Sequence, residues 1–579
     1  MGDLIDLLCS ASTWTRRLVV GLFCALGLVL ILYQVGCWHC ASCGGSGATS
    51  LIPQGGGGGG GGSTGLFSLV NMHNKQVIET KFLVGTASSS VTTLGIQLDS
   101  GTIQSFAASS NWTYSLVPSG WLIGSQHTIT VGVYSGSGFV GTTQSISVTQ
   151  GVNHDVDGNG FPDVAVASPS NSSGYIIYSP GPSGFSGTIN VGTASGVAQL
   201  TPASLPTIHT TLLGDFDNNG YADLALGGVA SGSGTVFVYF ASTSGIASGA
   251  GFSKQMLGTD ASFASSIASG DMDGDGIDDI LVGDSTSSKA VVYFGNTSQV
   301  SAFSSVTTFT TSVAGTNFGF QVACGYNITA LNQCNPLIVL QQSPGATVLA
   351  SPSLSGKPST VLLTGSSSQV VSTTPSYGNQ IATGEFNGDG QSDLIVGAPI
   401  SNSQGAAYVY LSNASGLGGG GTDEIGFTTI ADFGLSVAAG DINGDGYADA
   451  VIGAFDASVV SSAYLIYSAG STPFSTGPFV SGTPGTSSIA GSAYNSTPGL
   501  QAGIGNPYTL FASDTNGDGY LDLLLGAPNQ GAAFIFNGSA ANFSTSLVAT
   551  NANAFLDFGS ASAFGACIVQ LLFNRPSFF

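Results

Sequence analysis

The sequence predicts an all-β chain: a seven-bladed β-propeller preceded by a small β-sandwich and a hydrophobic N-terminal helix. Three observations predict it. A nine-residue acidic loop recurs six times, each copy leading into a short aliphatic run. The copies fall close to one or two four-stranded repeats apart. Apolar residues alternate with Ser, Thr and Gly through most of the chain, and only 7% of residues are charged. That is the pattern of half-buried strands, not of amphipathic helices.

The fullest loop is Asp271-Met-Asp-Gly-Asp-Gly-Ile-Asp-Asp279, with carboxylates at positions 1, 3, 5 and 9 and glycine at position 6. A hard cation such as calcium takes several oxygen ligands, and an acidic loop bent by a glycine supplies them. The ligand positions are Asp271, Asp273, Asp275 and Asp279 here. The other copies give Asp155, Asp157, Asn159 and Asp163; Asp215, Asp217, Asn219 and Asp223; Glu385, Asn387, Asp389 and Asp393; Asp441, Asn443, Asp445 and Asp449; and Asp514, Asn516, Asp518 and Asp522. A helix–loop–helix calcium hand needs a bidentate Glu at position 12. Position 12 here is Val166, Leu226, Val282, Val396, Ile452 or Leu525, so each loop runs into a strand. Asp278 falls outside the ligand positions and is expected to tolerate Ala far better than Asp279.

Taken in order, residues 1–17 are a flank ending in Arg16-Arg17, and residues 18–36 are the hydrophobic segment. Leu18–Gly36 approaches the ~20 apolar residues that cross a hydrocarbon core, and the basic pair before it directs the rest of the chain outward. Two readings stand: a retained transmembrane signal anchor, or a signal h-region removed by cleavage. Residues 37–64 are a Cys/Gly-rich linker. Cys37, Cys40 and Cys43 read as juxtamembrane thiols open to acylation. Ala41-Ser42-Cys43-Gly44 resembles the end of a lipoprotein signal, although Cys40 stands where Leu is usual. Gly55–Gly62 is a flexible tether.

Residues 65–150 change pattern. Candidate strands are Gln76–Val84, Val91–Leu98, Trp112–Val117, His127–Val133 and Gln144–Thr149, separated by Ser/Gly turns. Short, regularly spaced strands suggest a β-sandwich. The segment resembles bacterial immunoglobulin-like modules through Asn111-Trp-Thr-Tyr114 and His127-Thr-Ile-Thr-Val131, and its expected role is that of a spacer.

Residues 151–579 hold the repeats. First loop positions are 155, 215, 271, 385, 441 and 514, at intervals of 60, 56, 114, 56 and 73. The interval of 114 hides a seventh repeat without an acidic loop. Gly315–Ala323 and Leu337–Leu340 are its expected first two strands. Cys324 and Cys334 flank the place of the missing loop, where a disulfide can replace a metal staple in an exported protein. Each repeat reads alike: a strand such as Phe433–Ala439, the loop, a buried strand often ending Gly-Ala-Pro, and an alternating aromatic strand. Four-stranded units of this period bury their faces by radial stacking.

Phe-Gly, the acidic loop and Gly-Ala-Pro in fixed order (Phe433-Gly434, Gly397-Ala-Pro399, Gly526-Ala-Pro528) resemble the FG-GAP repeat of the integrin α-subunit head. The resemblance covers roughly Thr143 to the C-terminus. It implies a seven-bladed propeller with calcium in loops joining the first two strands of a blade. It also adds position-7 carbonyls as ligands: Phe161, Tyr221, Ile277, Gln391, Tyr447 and Tyr520. The chain departs from integrin subunits in its N-terminal apolar span and in carrying six metal loops. Phe558-Gly-Ser-Ala561 starts like a further first strand, so residues 556–579 either close the ring or are a truncated end.

Charge narrows the partners. The formal net charge is −23 with 8 Lys plus Arg, which argues against nucleic acid, since phosphate binding needs clustered cations. Nineteen of the 31 acids sit at loop ligand positions, so about six bound Ca2+ would relieve most local repulsion. Among His39, His73, His127, His154 and His209, no nucleophile–base–acid arrangement is visible in sequence, and no catalytic role is expected. The expectation is therefore a membrane-tethered, extracytoplasmic, calcium-binding propeller at the cell surface or envelope, acting in adhesion or in protein or glycan contact. Membrane attachment would run through Leu18–Gly36 or a lipidated Cys; secretion, or release as a lipoprotein after signal cleavage, is the alternative location. The alternative function is a metal-dependent polysaccharide-active enzyme or lectin on the same scaffold.

Overall fold

The computed structural model describes residues 66–557 except 75, 118–120, 123, 169–171, 203–206, 331, 400–404, 427–431, 455–461, 469–473, 475–485, 491–509, 528–531, 541–542, 544–546 and 549–551. Leu18–Gly36, the three linker cysteines and Phe558–Ala561 lie outside the described residues. Among the described residues no helix is long and apolar enough to cross a membrane.

Two sheets form the sandwich. Phe67–Leu69, Phe82–Ala87 and Asn111–Ser115 make one; Gln76–Ile78, Phe139–Gln150, Gln126–Tyr134, Thr93–Leu98 and Gln104–Ala107 make the other. Inward residues of both, among them Leu83, Trp112, Leu94, Ile96, Ile129 and Val148, share one core. The strand expected over Gln76–Val84 is two strands in different sheets. It breaks at Glu79-Thr80-Lys81, three polar residues that are nevertheless buried. Period-two patterning shows which residues face a core but not which core; these three face the next domain. Phe67–Leu69 and Gln104–Ala107 are strands the sequence reading left out.

Seven further sheets follow among the described residues, and together they build an all-β propeller. In each, an acidic loop or its counterpart leads into a buried strand. The second, for example, runs Thr207–Gly214, Asp223–Ala230, Ser233–Tyr239, Lys254–Leu257, all antiparallel. The strand leaving a loop is mostly apolar and buried, along its whole length in Asp279–Asp284 and Asp393–Ala398 and over its first six residues in Asp223–Ala230. It therefore packs between neighbouring sheets. The hidden fourth repeat is present, though its first strand is Val322–Tyr326 and its second Cys334–Gln341. The first half of the expected Gly315–Ala323 strand is a turn around Asn317 and Gly319, both with positive φ. Cys324 and Cys334 lie on these paired strands and are joined as a disulfide, their Cα atoms 5.4 Å apart.

The last sheet packs against the first. Leu524, Ala533, Ile535 and Leu556 share a core with Val164, Val166, Tyr175 and Ile177. Gly187–Asn190, from the first repeat, adds in parallel to Ala554–Asp557 of the last.

The repeating motifs have a steric cause. The aromatic of Phe-Gly is buried in four sheets as Phe263, Phe318, Tyr377 and Phe433. The residue after it has positive φ in each, as Ala264, Gly319, Gly378 and Gly434. At Gly434 a Cβ would overlap the Ala406 carbonyl oxygen, and at Gly397 of Gly-Ala-Pro it would overlap the Gly434 carbonyl oxygen of the next sheet. The two signatures are thus the two halves of one contact between adjacent sheets.

A chain of backbone hydrogen bonds links the loops. The first-position carbonyl of one loop accepts the eighth-position N–H of the next. The pairs are Ala222 to Asp155 (2.8 Å), Asp278 to Asp215 (3.2 Å), Cys334 to Asp271 (2.7 Å), Ser392 to Tyr326 (2.9 Å), Ala448 to Glu385 (2.7 Å) and Leu521 to Asp441 (3.2 Å). The corresponding residue of the Asp155 loop is Pro162, which has no N–H to give.

Replacing Cys324 and Cys334 together by Ser removes a cross-link of sequence separation 10. The expected loss is ~2–3 kcal/mol of stability, read as a lower urea midpoint, with the same loss in the unaltered chain under reducing conditions.

Candidate metal centres

Each acidic loop is wound by its own carboxylates. In the Asp155 loop, Asp155 Oδ1 accepts the N–H groups of Gly158 (2.8 Å) and Asn159 (3.1 Å), and Oδ2 that of Gly160 (2.8 Å). Asp157 Oδ1 accepts Asn159 N–H at 3.1 Å, and Asn159 Oδ1 accepts Phe161 N–H at 2.8 Å. These bonds turn the side chains at positions 1, 3 and 5 inward. The position-6 glycine has positive φ in this loop and in the Asp215, Asp271, Glu385, Asp441 and Asp514 loops.

Position 9 has a second duty. Asp163 Oδ2 accepts Val156 N–H (2.8 Å) and Oδ1 accepts Ser179 N–H (2.7 Å). Asp223, Asp279, Asp393, Asp449 and Asp522 each bridge a loop N–H and a strand-end N–H in the same way. The ninth residue therefore pins the loop to the end of the third strand, whatever else it binds.

The structure brings Asp155/Asp157/Asp163, Asp215/Asp217/Asp223 and Asp271/Asp273/Asp275 together, with one oxygen from each acid within 4.8 Å of the others. These groups can hold a metal ion. Asn387, Asn443 and Asn516 put an amide in place of one carboxylate in the other three loops, which keep the same winding. The electrostatics fit a cation. Burial pushes Asp155, Asp215, Glu385 and Asp441 up to about 7 and Asp271 to about 8, with neighbouring carboxylates adding to the shift. Burial, then the charges of the same loop, hold Asp163, Asp223, Asp279, Asp393 and Asp449 well above the usual carboxylate range. A dication among these oxygens would offset both causes. The donors at the predicted positions are all oxygen, which suits a hard ion over zinc or copper.

Lys357 was invisible to spacing. It reaches from the fourth repeat to the Asp271 loop, with Nζ 2.8 Å from Asp273 Oδ2 and 3.0 Å from Asp275 Oδ2, over the ring of Phe294. Burial alone would lower the Lys357 ammonium, but these two acids hold it above its usual range. The Asp271 loop carries one more acid at its ligand positions than any other. The lysine offsets that excess.

Asp278, outside the ligand positions, is buried, and its Oδ2 accepts Asp215 N–H at 2.8 Å. Burial pushes it up to about 6, against the charges of Lys81 and His154 that face it. An acid at the eighth position of one loop thus helps hold the first residue of the preceding loop.

The sandwich also reaches the loops. Thr80 Oγ1 donates to Asp155 Oδ2 and Gln76 Nε2 to Asp514 Oδ2, both at 2.6 Å. Asn71 Nδ2 donates to Gly160 O at 2.6 Å, and His73 Nε2 lies 2.7 Å from Gly517 O. Phe82 packs against Tyr221 with ring centroids 5.2 Å apart. No local motif announces these contacts.

One further constellation appears only in three dimensions. Ser125 Oγ lies 2.6 Å from His127 Nε2, and His127 Nδ1 lies 2.9 Å from Asp99 Oδ2, with Trp121 stacked on the imidazole. The order matches a nucleophile, base and acid. The details favour a turn staple. Ser125 Oγ also lies within hydrogen-bonding distance of Leu122 O, a second acceptor for its one proton. The N–H groups of Gly124 and Ser125 are already given to Gln150 O and Leu122 O, so neither is free to stabilise an oxyanion.

An FG-GAP repeat model matches residues 263–302, 377–410, 433–463 and 506–541, and an FG-GAP-like repeat model matches 155–226 and 215–282. The chain is 31% identical over 207 residues to integrin alpha-PS2 of Drosophila melanogaster, covering 31% of this chain and 14% of that one. It is 35% identical over 91 residues to integrin alpha-E of Mus musculus, covering 14% and 8%. It is 37% identical over 87 residues to integrin alpha-7 of Homo sapiens, covering 14% and 7%. The match spans less than a sixth of the length of each of these relatives. Among solved structures, an Agrocybe aegerita lectin that recognises non-reducing terminal N-acetylglucosamine aligns over 66% of this chain and 88% of its own, at 14% identity and a TM-score of 0.39. The Dos1 propeller aligns over 66% and 93%, at 10% identity and a TM-score of 0.29.

Two substitutions test the site. Asp278→Ala leaves the Asp215 N–H without its partner and should cost ~1–3 kcal/mol in urea unfolding; a neutral result would restore the original expectation. Lys357→Met removes a competing cation and should tighten divalent binding at the Asp271 loop roughly tenfold, measured by calorimetric titration.

Proposed function

We propose that this chain, which carries FG-GAP repeats on a β-propeller, is an extracytoplasmic calcium-binding module that contacts a protein or glycan ligand in adhesion. The observation that carries it is the set of six acidic loops linked into one rim and wound alike by their own carboxylates, three of them with acid oxygens within 4.8 Å of one another. Calcium would be held by the side chains at positions 1, 3 and 5 and the position-7 carbonyl. The position-9 carboxylate would use lone pairs left over from its two backbone bonds. Bound there, the ion supplies fixed positive charge and nothing more; the chain's own residues set the loop shape.

The seven sheets are read as seven blades closing one ring, and the two-sheet N-terminal domain as immunoglobulin-like. The metal loops and the sandwich occupy one face of the ring. The connections on the other face carry no such duty, and we assign ligand contact to them. The similarity to integrin α-subunits supports an adhesive role outside the cell, and Leu18–Gly36, or a lipidated cysteine after it, would supply the membrane tether. A polysaccharide-active enzyme would instead show activity in a hydrolase screen that Asp271→Ala abolishes.

Chelation is the direct test. Metal bound only by the folded state stabilises it by mass action, so EDTA should lower the melting temperature by at least about 10 °C, reversed by calcium but not by magnesium alone. Elemental analysis should find up to six calcium ions per chain. An unchanged melt, or a metal-free protein after calcium soaking, would defeat the reading. Calcium-dependent signals on a glycan array would then mark a glycan over a protein ligand.

A further inference from the structure

The chain of backbone bonds along the rim has one missing link, at a seam that Ser179 Oγ also crosses by donating to Thr515 O at 2.6 Å. Six successive loop-to-loop hydrogen bonds run from the Asp155 loop round to the Asp514 loop, and the seventh would need an N–H from Pro162. The gap lies between the last sheet and the first. It joins chain segments more than 300 residues apart, where closure entropy is largest.

The sandwich sits on that gap. Glu79 is buried, with Oε1 2.8 Å from His154 Nδ1 of the first repeat. Its Oε2 accepts Ser513 Oγ at 2.6 Å and Asp514 N–H at 3.3 Å from the last. Its carbonyl accepts His154 N–H at 2.8 Å, and the carbonyl of Ile78 accepts Gly151 N–H at 2.9 Å. The sandwich strand therefore lies along residues 151–154, which lead into the Asp155 loop of the first repeat, whose sheet has three strands among the described residues. Around Glu79, the bonds already described go to both sides of the gap. Asn71 and Thr80 reach the Asp155 loop; His73 and Gln76 reach the Asp514 loop.

We propose that the sandwich is the clasp of the propeller, with Glu79 bridging the first and last repeats where Pro162 leaves the rim open. A spacer would not need three consecutive polar residues buried at its contact, each matched to a partner across it. Such matching costs desolvation and returns specificity of docking. Because Thr80 and Gln76 bond the first-position carboxylates of the two loops at the gap, divalent ions at those loops and docking of the sandwich stabilise one another. That second clause rests on the calcium reading; the clasp itself rests on hydrogen bonds alone.

Hydrogen exchange on the full chain, read by mass spectrometry with calcium and with EDTA, tests both. Glu79→Ala should speed exchange about tenfold or more in residues 76–84, 150–163 and 510–522. It should leave 322–341 and 381–393, across the ring, unchanged. Glu79→Gln keeps an acceptor on one side only and puts an NH2 donor on the other, so it should fall between. If Glu79→Ala leaves exchange at the gap unchanged, or speeds it equally all round the ring, the clasp is wrong. If EDTA leaves every loop unchanged while Glu79→Ala still opens the gap, the calcium reading fails and the clasp stands. If EDTA opens the loops but leaves residues 76–84 as protected as before, the mutual stabilisation fails and the calcium reading stands.

Discussion

The structure depends on how carboxylates are buried. An unpaired buried carboxylate is expensive, and three or four converging in one loop are more so. Each loop lessens the cost by giving its acids to backbone N–H groups: position 1 takes those of the turn, and position 9 takes one from the loop and one from a strand end. These bonds make the loop a rigid corner between the first two strands of a sheet. In three of the loops they also leave acid oxygens facing one another, a setting that favours positive charge. The folding device and the candidate metal site are the same atoms.

The sheets are held to one another by a different device. The positive-φ turn after a buried aromatic presses its carbonyl against a glycine Cα of the preceding sheet, as at Gly434 and Gly397. Close backbone approach admits no side chain there, which is why the two short signatures travel together. Ala264 shows that the turn accepts a small residue at the strain of positive φ when the facing glycine, Gly227, is kept.

What was legible in the sequence follows from range. The loop, the aliphatic strand after it and the aromatic strand after that are set by contacts within one repeat, and their spacing reads directly. The fourth repeat was legible by counting even without its acids. Features set by contacts between repeats or domains were not. Asp278 looks like a surplus surface acid until the preceding loop is placed over it. Lys357 lies 82 residues from the Asp275 carboxylate it meets. Glu79-Thr80-Lys81 reads as the middle of one strand, because nothing nearby records that the chain turns there to meet the propeller. The Asp99–His127–Ser125 chain misleads in the other direction. Its members converge, yet the N–H groups of Gly124 and Ser125 beside them are already given to carbonyls.

The few cations show the same economy. The described residues include four lysines, Lys81, Lys254, Lys289 and Lys357. Lys357 meets the most acidic loop, Lys81 faces Asp215 and Asp278, and Lys289 meets the buried Asp284 at 3.3 Å. In a chain of net charge −23 a lysine placed at random would meet some acid, but of the acids these meet, Asp215, Asp273, Asp278 and Asp284 are buried and Asp275 alone is exposed. Fixed lysines answer the excess charge that a loop ion would leave over: the fourth carboxylate of the Asp271 loop and the eighth-position acid beside it. The sandwich supplies Lys81 and so contributes charge as well as shape to the rim. A domain that only held the propeller away from a membrane would have no reason to carry its single described lysine into that junction.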